Sequence, residues 1–161
     1  MDILVDRLFR HMAWANSYTF DQLAKLSEVE LALTAPRDDW SAAAILEHLT
    51  AARYADVLDG LGEPPTTVPK NSTEVSALKE LSATFDARLR ECAKTPEGLT
   101  RIPVGDKQIY RSRQTILAQA LHHATEHRAQ IAGIYASHGM KIIDLDEIDL
   151  WAFANYEGLG D

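Results

Sequence analysis

Leu121-His-His-Ala-Thr-Glu-His-Arg-Ala-Gln130 places three of the chain's six histidines inside a long helical pattern. At about 100° per residue, Ile116, Ala120, His123, His127, Gln130, Ile131 and Ile134 fall within an arc of roughly 100°, the stripe expected to face a core. His122 points elsewhere and reads as solvated. Two imidazoles one turn apart on an inward face would each leave a nitrogen to satisfy, at about 1 to 3 kcal/mol apiece if unpaired. A single buried histidine ordinarily finds a hydrogen-bond partner, but a shared cation satisfies both rings at once. His123 and His127 are therefore expected to be metal ligands.

Working outward, Ser112 is placed to cap this helix, which should end near His138-Gly139. His138, close to the negative helix terminus, is expected to be structural. Residues 95 to 111 read as a minor hairpin around Gly105-Asp106, with Pro103 restricting its first arm. Further upstream, a helix is expected from Asp2 to about Leu26, with Leu4, Leu8, Met12, Ala15 and Thr19 on one face, and with His11 partnered at the rim of the core. Trp14 reads as core. Residues 27 to 39 read as a connection. Trp40-Ser41 then opens a second helix running to about Leu61, capped by Ser41, with Ala42, Ile45, His48, Leu49, Ala52 and Asp56 inward. His48 is the expected third metal ligand. Gly62-Glu-Pro-Pro-Thr-Thr-Val-Pro stops that helix and continues as an extended linker. A third helix follows from about Glu74 to Ala93, capped by Asn71, with Val75, Leu78, Leu81, Phe85 and Leu89 on its apolar face and Cys92 as core filler. Asp144 ahead of Glu147 predicts a terminal helix through Ile148, Leu150, Trp151 and Phe153, an apolar cluster suited to covering the other helices or to a dimer contact.

The chain's 161 residues suit a single domain spanning 1–161, and 46% hydrophobic residues suffice for a core. A net charge of −8, from 16 Lys+Arg against 24 Asp+Glu with no basic cluster, argues against nucleic acid as a partner. No apolar run approaches the roughly 20 residues that span a bilayer, so no membrane partner is expected. The one cysteine cannot form an intramolecular disulfide, and Met1 leads directly into a mixed charged and apolar helix, so a cytoplasmic protein is expected.

Three neutral imidazoles with an open coordination position suit Zn, Ni or Fe. An ion with an open position acidifies a bound thiol or water, so such a site serves thiol transfer or hydrolysis. His123-Ala-Thr-Glu126-His127 also matches the short H-x-x-E-H string of inverted zinc peptidases, but that family calls for a much larger α/β domain and a distant carboxylate ligand. The peptidase assignment is rejected. Glu126 is kept as a candidate catalytic base, with a solvated carboxylate at the edge of the stripe as its default role.

Trp14-Ala15-Asn16, Trp40-Ser41, His48, the long linker, His123-x-x-x-His127-Arg128-x-Gln130 and Asp149-Leu-Trp151 together resemble the DinB-like superfamily, the DinB/YfiT-like metalloenzymes, over nearly the whole chain. Ala129 stands where Gly is usual, a mild departure between two small residues. The resemblance implies an all-α four-helix bundle with up-down-down-up connectivity, here carrying a short hairpin insertion and a C-terminal helix. It also implies a three-histidine centre on His48, His123 and His127, and frequent homodimers. Some relatives are metal-dependent transferases or isomerases that use low-molecular-weight thiols.

The expected function is thus a metal-dependent enzyme of the thiol S-transferase or detoxification type, acting on a small-molecule substrate with a divalent metal and a low-molecular-weight thiol. The alternatives are a metal-dependent hydrolase and a non-catalytic metal-binding stress or structural dimer. Gln130, on the metal face, is a candidate for supporting the ligands or a bound cofactor. Arg128 is a candidate for positioning a substrate or cofactor carboxylate, with an ordinary surface ion pair as its default role.

Overall fold

Short polar side chains ahead of apolar periodicity start most of the helices. The computed structural model describes residues 2–160, the side chain of Ala52 apart. Helix α1, Ile3–Leu23, begins where the Asp2 carboxylate accepts from Leu4 N at 2.8 Å. Its buried face is Phe9, Met12, Ala15, Asn16, Thr19, Phe20 and Leu23. Leu4, expected on that face, is 64% exposed, in a first turn whose Ile3 is also exposed. The connection expected at 27 to 39 contains a one-turn helix, α2, Glu28–Leu31. It arises from a capping box: Ser27 Oγ accepts from Glu30 N while the Glu30 carboxylate accepts from Ser27 N.

The expected second helix is two. Ser41 caps α3, Ala42–Leu49, by accepting from Ala44 N at 3.1 Å, and a second helix, α4, covers Ala52–Asp59. Between them Ala51 adopts a left-handed conformation at φ +53°, which costs an alanine about 1 to 2 kcal/mol. The break shifts the helical phase. Ala42, Ile45, Leu46 and Leu49 are buried before it, and Ala51, Ala55 and Leu58 after it. A continuous helix would have turned positions 52 and 56 inward instead; the expected place of the Ala52 side chain lies outside the described residues. Gly60, at φ +69°, closes α4.

Helix α5, Ser72–Cys92, starts where Asn71 Oδ1 accepts from Glu74 N at 3.0 Å and buries Val75, Leu78, Phe85 and Leu89 as expected, with Cys92 filling space at its end. Strands β1, Leu99–Val104, and β2, Lys107–Ser112, pair antiparallel from Leu99 opposite Ser112 to Val104 opposite Lys107. Gly105, at φ +56°, makes their turn. Helix α6, Arg113–Ser137, is capped by Ser112, whose Oγ accepts from Thr115 N at 3.1 Å. It ends before Gly139 at φ +72°, with Met140 N returning to Tyr135 O at 2.9 Å. The terminal helix starts later than expected. Asp144 precedes a 3-10 turn, Asp146–Ile148, and the cap of α7, Leu150–Tyr156, is Asp149, which accepts from Ala152 N at 2.7 Å. Helix α7 sits on α1 through Phe153, whose ring centroid lies 5.3 Å from that of the half-buried Trp14.

The fold is mainly helical with one small two-stranded sheet. Helix α6 packs against α1 on one side and against α3 and α4 on another, and α5 packs against α1 and α4. Serving two sides makes its buried surface wider than one stripe. Ala124, Arg128, Ile131 and Tyr135, spaced four, three and four residues apart, form a second inward face. Arg128 therefore does not form the surface ion pair taken as its default role. It is 3% exposed, and its Nη1 donates to Asn16 Oδ1 at 2.6 Å. Asn16 Nδ2 in turn donates to the Asp86 carboxylate oxygens at 3.2 and 3.3 Å, so one polar chain links α6, α1 and α5.

Burial pushes the Asp86 carboxyl up to about 7, against the opposing influence of the Asn16 hydrogen bond and the Arg128 charge. The unfolded chain releases this proton near the ordinary value of 3.8, whereas the folded chain holds it to about 7. Asp86 therefore contributes stability that is full at low pH and is lost as pH rises through this window. Asp59, held low by its hydrogen bonds to Arg88, acts in the opposite direction. The difference between wild type and Asp86→Asn isolates the first effect. Denaturant unfolding from pH 4 to 7 should show Asp86→Asn gaining on wild type by on the order of 3 kcal/mol. A flat difference would mean that Asp86 is ionised throughout this range.

Candidate metal centre

One turn of α6 separates His123 from His127, and the packing of α3 on α6 brings His48, in the last turn of α3, against both. The ring centroid of His48 lies 4.8 Å from that of His123 and 4.9 Å from that of His127. One nitrogen from each of the three rings lies within 4.8 Å of the other two. The two α6 rings stand nearly perpendicular, at 89°, with their Nε2 atoms 3.0 Å apart. His123 is buried, His127 half-buried and His48 exposed.

The protonation pattern follows from the partners. Gln130 Oε1 lies 2.5 Å from His127 Nδ1 and can only accept, so Nδ1 carries a hydrogen and Nε2 is the nitrogen turned to the other rings. His123 is pushed down to about 4, first by burial and then by the neighbouring His127 and His48. His48 is lowered by burial and by His127. His123 and His48 are thus neutral at physiological pH, the form that ligates metal. His123 Nδ1 is buried without a partner, so this ring leaves an unsatisfied polar atom beside the cluster.

The donor set fits a divalent ion. At Zn–N distances of about 2.05 Å, nitrogens 3.0 Å apart subtend about 94° at a shared ion. The 4.8 Å span is wider than the roughly 3.3 Å between two nitrogens of a tetrahedral ion, so the exposed His48 ring would have to move by about 1.5 Å to complete the set. Trp40 packs edge-on against that ring at 5.1 Å, and no hydrogen bond within the protein holds it among the described residues. Periodicity could not reveal Trp40 as a neighbour, because it lies before the helix starts.

Tyr54 was also beyond the reach of periodicity, because the break at Ala51 sets its direction. Its ring stands edge-on to His123 at 5.1 Å. Burial raises its phenol pKa, opposed by a hydrogen bond with Gln119, and the Glu126 charge adds to the rise. Glu126 itself is exposed and close enough to act on Tyr54 through its charge. Beside the triad opens a cavity of about 720 Å³ whose wall includes His48, His123, Arg53, Tyr54, Glu47 and Glu63. The linker forms one side of it, where the Thr66 hydroxyl donates to Glu47.

The other histidines are separately accounted for. His11 Nε2 lies 2.8 Å from Ile148 O, and His138 Nε2 lies 2.9 Å from Thr34 O. His122 is exposed. Arg128, on the second face of α6, points to Asn16 and Thr125 rather than to the triad.

Because Gln130 sets the tautomer of His127, Gln130→Leu should weaken zinc affinity by about 10- to 100-fold, read by competition with a chromogenic chelator. His122→Ala should leave it unchanged. Equal affinities in Gln130→Leu and wild type would remove the tautomer argument.

Comparisons with curated proteins and with solved structures find no match. The model of the family described as the DinB family matches residues 1–152. That match takes in all three histidines, Trp40 and Gln130, and the chain belongs to the DinB family.

Proposed function

We propose that this chain is a metal-dependent enzyme that transfers a low-molecular-weight thiol to a small electrophile. The observation that carries the reading is the convergence of three imidazoles, two of which, His48 and His123, line an open cavity of about 720 Å³. A purely structural centre needs no such opening. Zn, Ni and Fe all suit three imidazoles. When bound, a divalent ion supplies acidification of a thiol at its open position.

The protein's own groups do the remaining work. Gln130 orients His127, and Tyr54 walls the cavity beside His123. Glu47, Glu63 and Arg53 give the cavity charges of both signs, which suits a small charged thiol better than an apolar ester. Arg53 is the cation placed to receive a carboxylate at this site. Arg128 is a positioning residue that orients α6 through Asn16. Glu126 is the candidate base, and hydrolysis is the competing reaction it would serve. In this reading α1, α3 with α4, α5 and α6 form an up-down-down-up four-helix bundle, and the protein works as a cytoplasmic homodimer.

Plasma mass spectrometry on untagged protein should find one metal ion per chain, lost in both His48→Ala and His123→Ala. The loaded protein should conjugate thiols across an electrophile panel, and His123→Ala should lower that rate by at least about 100-fold, the scale of a lost metal-assisted step. Hydrolysis without conjugation, with Glu126→Gln inactive, would replace transferase by hydrolase. Activity surviving His123→Ala would overturn both. Stoichiometric metal with no turnover would leave a metal-binding structural protein.

A further inference from the structure

A second cavity, of about 660 Å³, lies on the other side of α6, between α1 and the segment leading into α7. Its size is within the range of small-molecule sites. Leu8, Leu121 and Ile148 make much of its wall, and Arg128 and His11 belong to the same wall. Arg128 is unusual here. It is 3% exposed, yet among the described residues no carboxylate lies within ion-pair distance of it.

Its protein partners are the Asn16 amide oxygen, at 2.6 Å, and the Thr125 hydroxyl, at 3.1 Å. A guanidinium has five N–H donors, so these two bonds leave most of its capacity unused. The nearest buried carboxyl on the chain of hydrogen bonds, Asp86, is reached only through Asn16. A buried cation without an adjacent counter-charge is costly, and an anion entering the cavity offsets that cost. The other charges on the wall do not supply one. Asp149, which caps α7, and the exposed Asp146 line the wall, but neither lies within ion-pair distance of Arg128.

We propose that this cavity binds a small carboxylic acid with an apolar body, its carboxylate paired with Arg128 and its body along Leu8, Leu121 and Ile148. The site is separate from the three histidines and does not depend on the enzyme reading. Charge complementarity selects the acid over other apolar molecules, because a charge-assisted bond to a guanidinium is about twice as strong as a neutral one.

Decanoate tests the proposal, with decan-1-ol as the uncharged comparator, on the full-length chain by calorimetry and amide chemical shifts. One decanoate should bind per chain and shift Leu121, Thr125 and Ile148, and decanol should bind at least about tenfold more weakly. Arg128→Gln should erase that preference. Because this change also cuts the Asn16 chain and costs folding stability, it is paired with Ala118→Trp, a change at an exposed α6 position that fills the cavity. Ala118→Trp should abolish binding while leaving helix content and metal content intact. Equal binding of decanoate and decanol would overturn the proposal. So would the absence of saturable binding, shifts confined to the cavity beside the histidines, or a dimer that covers this wall.

Discussion

The hydrogen bond from Arg128 Nη1 to Asn16 Oδ1 decides how the longest helix sits. A guanidinium at this depth is costly unless it is hydrogen-bonded, and Asn16 and Thr125 each take one of its donors while Asn16 passes its own amide hydrogens to Asp86. The three residues lie on α6, α1 and α5, so the chain of bonds holds when each helix has one rotation about its own axis. That rotation is also what turns His123 and His127 toward α3. Rotating α6 by one residue would bring Arg128 to the histidine side and move the imidazoles off α3. The polar chain and the histidine cluster are therefore two faces of one constraint.

The break at Ala51 is the complementary device on the facing side. An uninterrupted helix from Ala42 would keep one face on α6 along its whole length and seal the end of the histidine cluster. Instead, α3 ends just after presenting His48, and α4 resumes in a different phase with Tyr54 against His123. The left-handed Ala51 and the buried Thr50 sit where the two phases meet, on the wall of the larger cavity. Backbone strain of this kind persists where the surrounding packing over-determines it, and functional sites are where it collects. Here the left-handed turn lies beside the histidine cluster.

Much of this was legible in the residues. Asp2, Ser41, Asn71 and Ser112 mark helix starts because a short polar side chain satisfies amides that nothing else can reach. His123 and His127 were legible as a pair because a helix turn is a fixed distance, and His48 because it shares the inward stripe. Arg128 was misread as a surface residue because a single-stripe pattern does not describe a helix buried on two sides. The capping box at Ser27 was present in the sequence but lay in a stretch too short to show periodicity. The break at Ala51 carries no Gly or Pro, so it leaves no local signal in the sequence. Tyr54 could be found only once that break was known, and Trp40 lies ahead of the periodicity that would have placed it beside His48.

The same logic explains how an acidic chain accommodates its internal charges. With a net charge of −8, the protein attracts cations and repels anions at long range, yet the cavities on the two sides of α6 present different centres at short range. Imidazole ligands bring no negative charge, so a divalent ion held by His48, His123 and His127 would keep its full positive charge and favour an anionic partner. On the opposite face, Arg128 is a fixed cation in apolar surroundings. In the two proposed readings both centres would select anions only after entry, where screening by solvent is weakest and a single charge counts most. The surface charge sets what approaches, and the buried groups of α6 decide what stays.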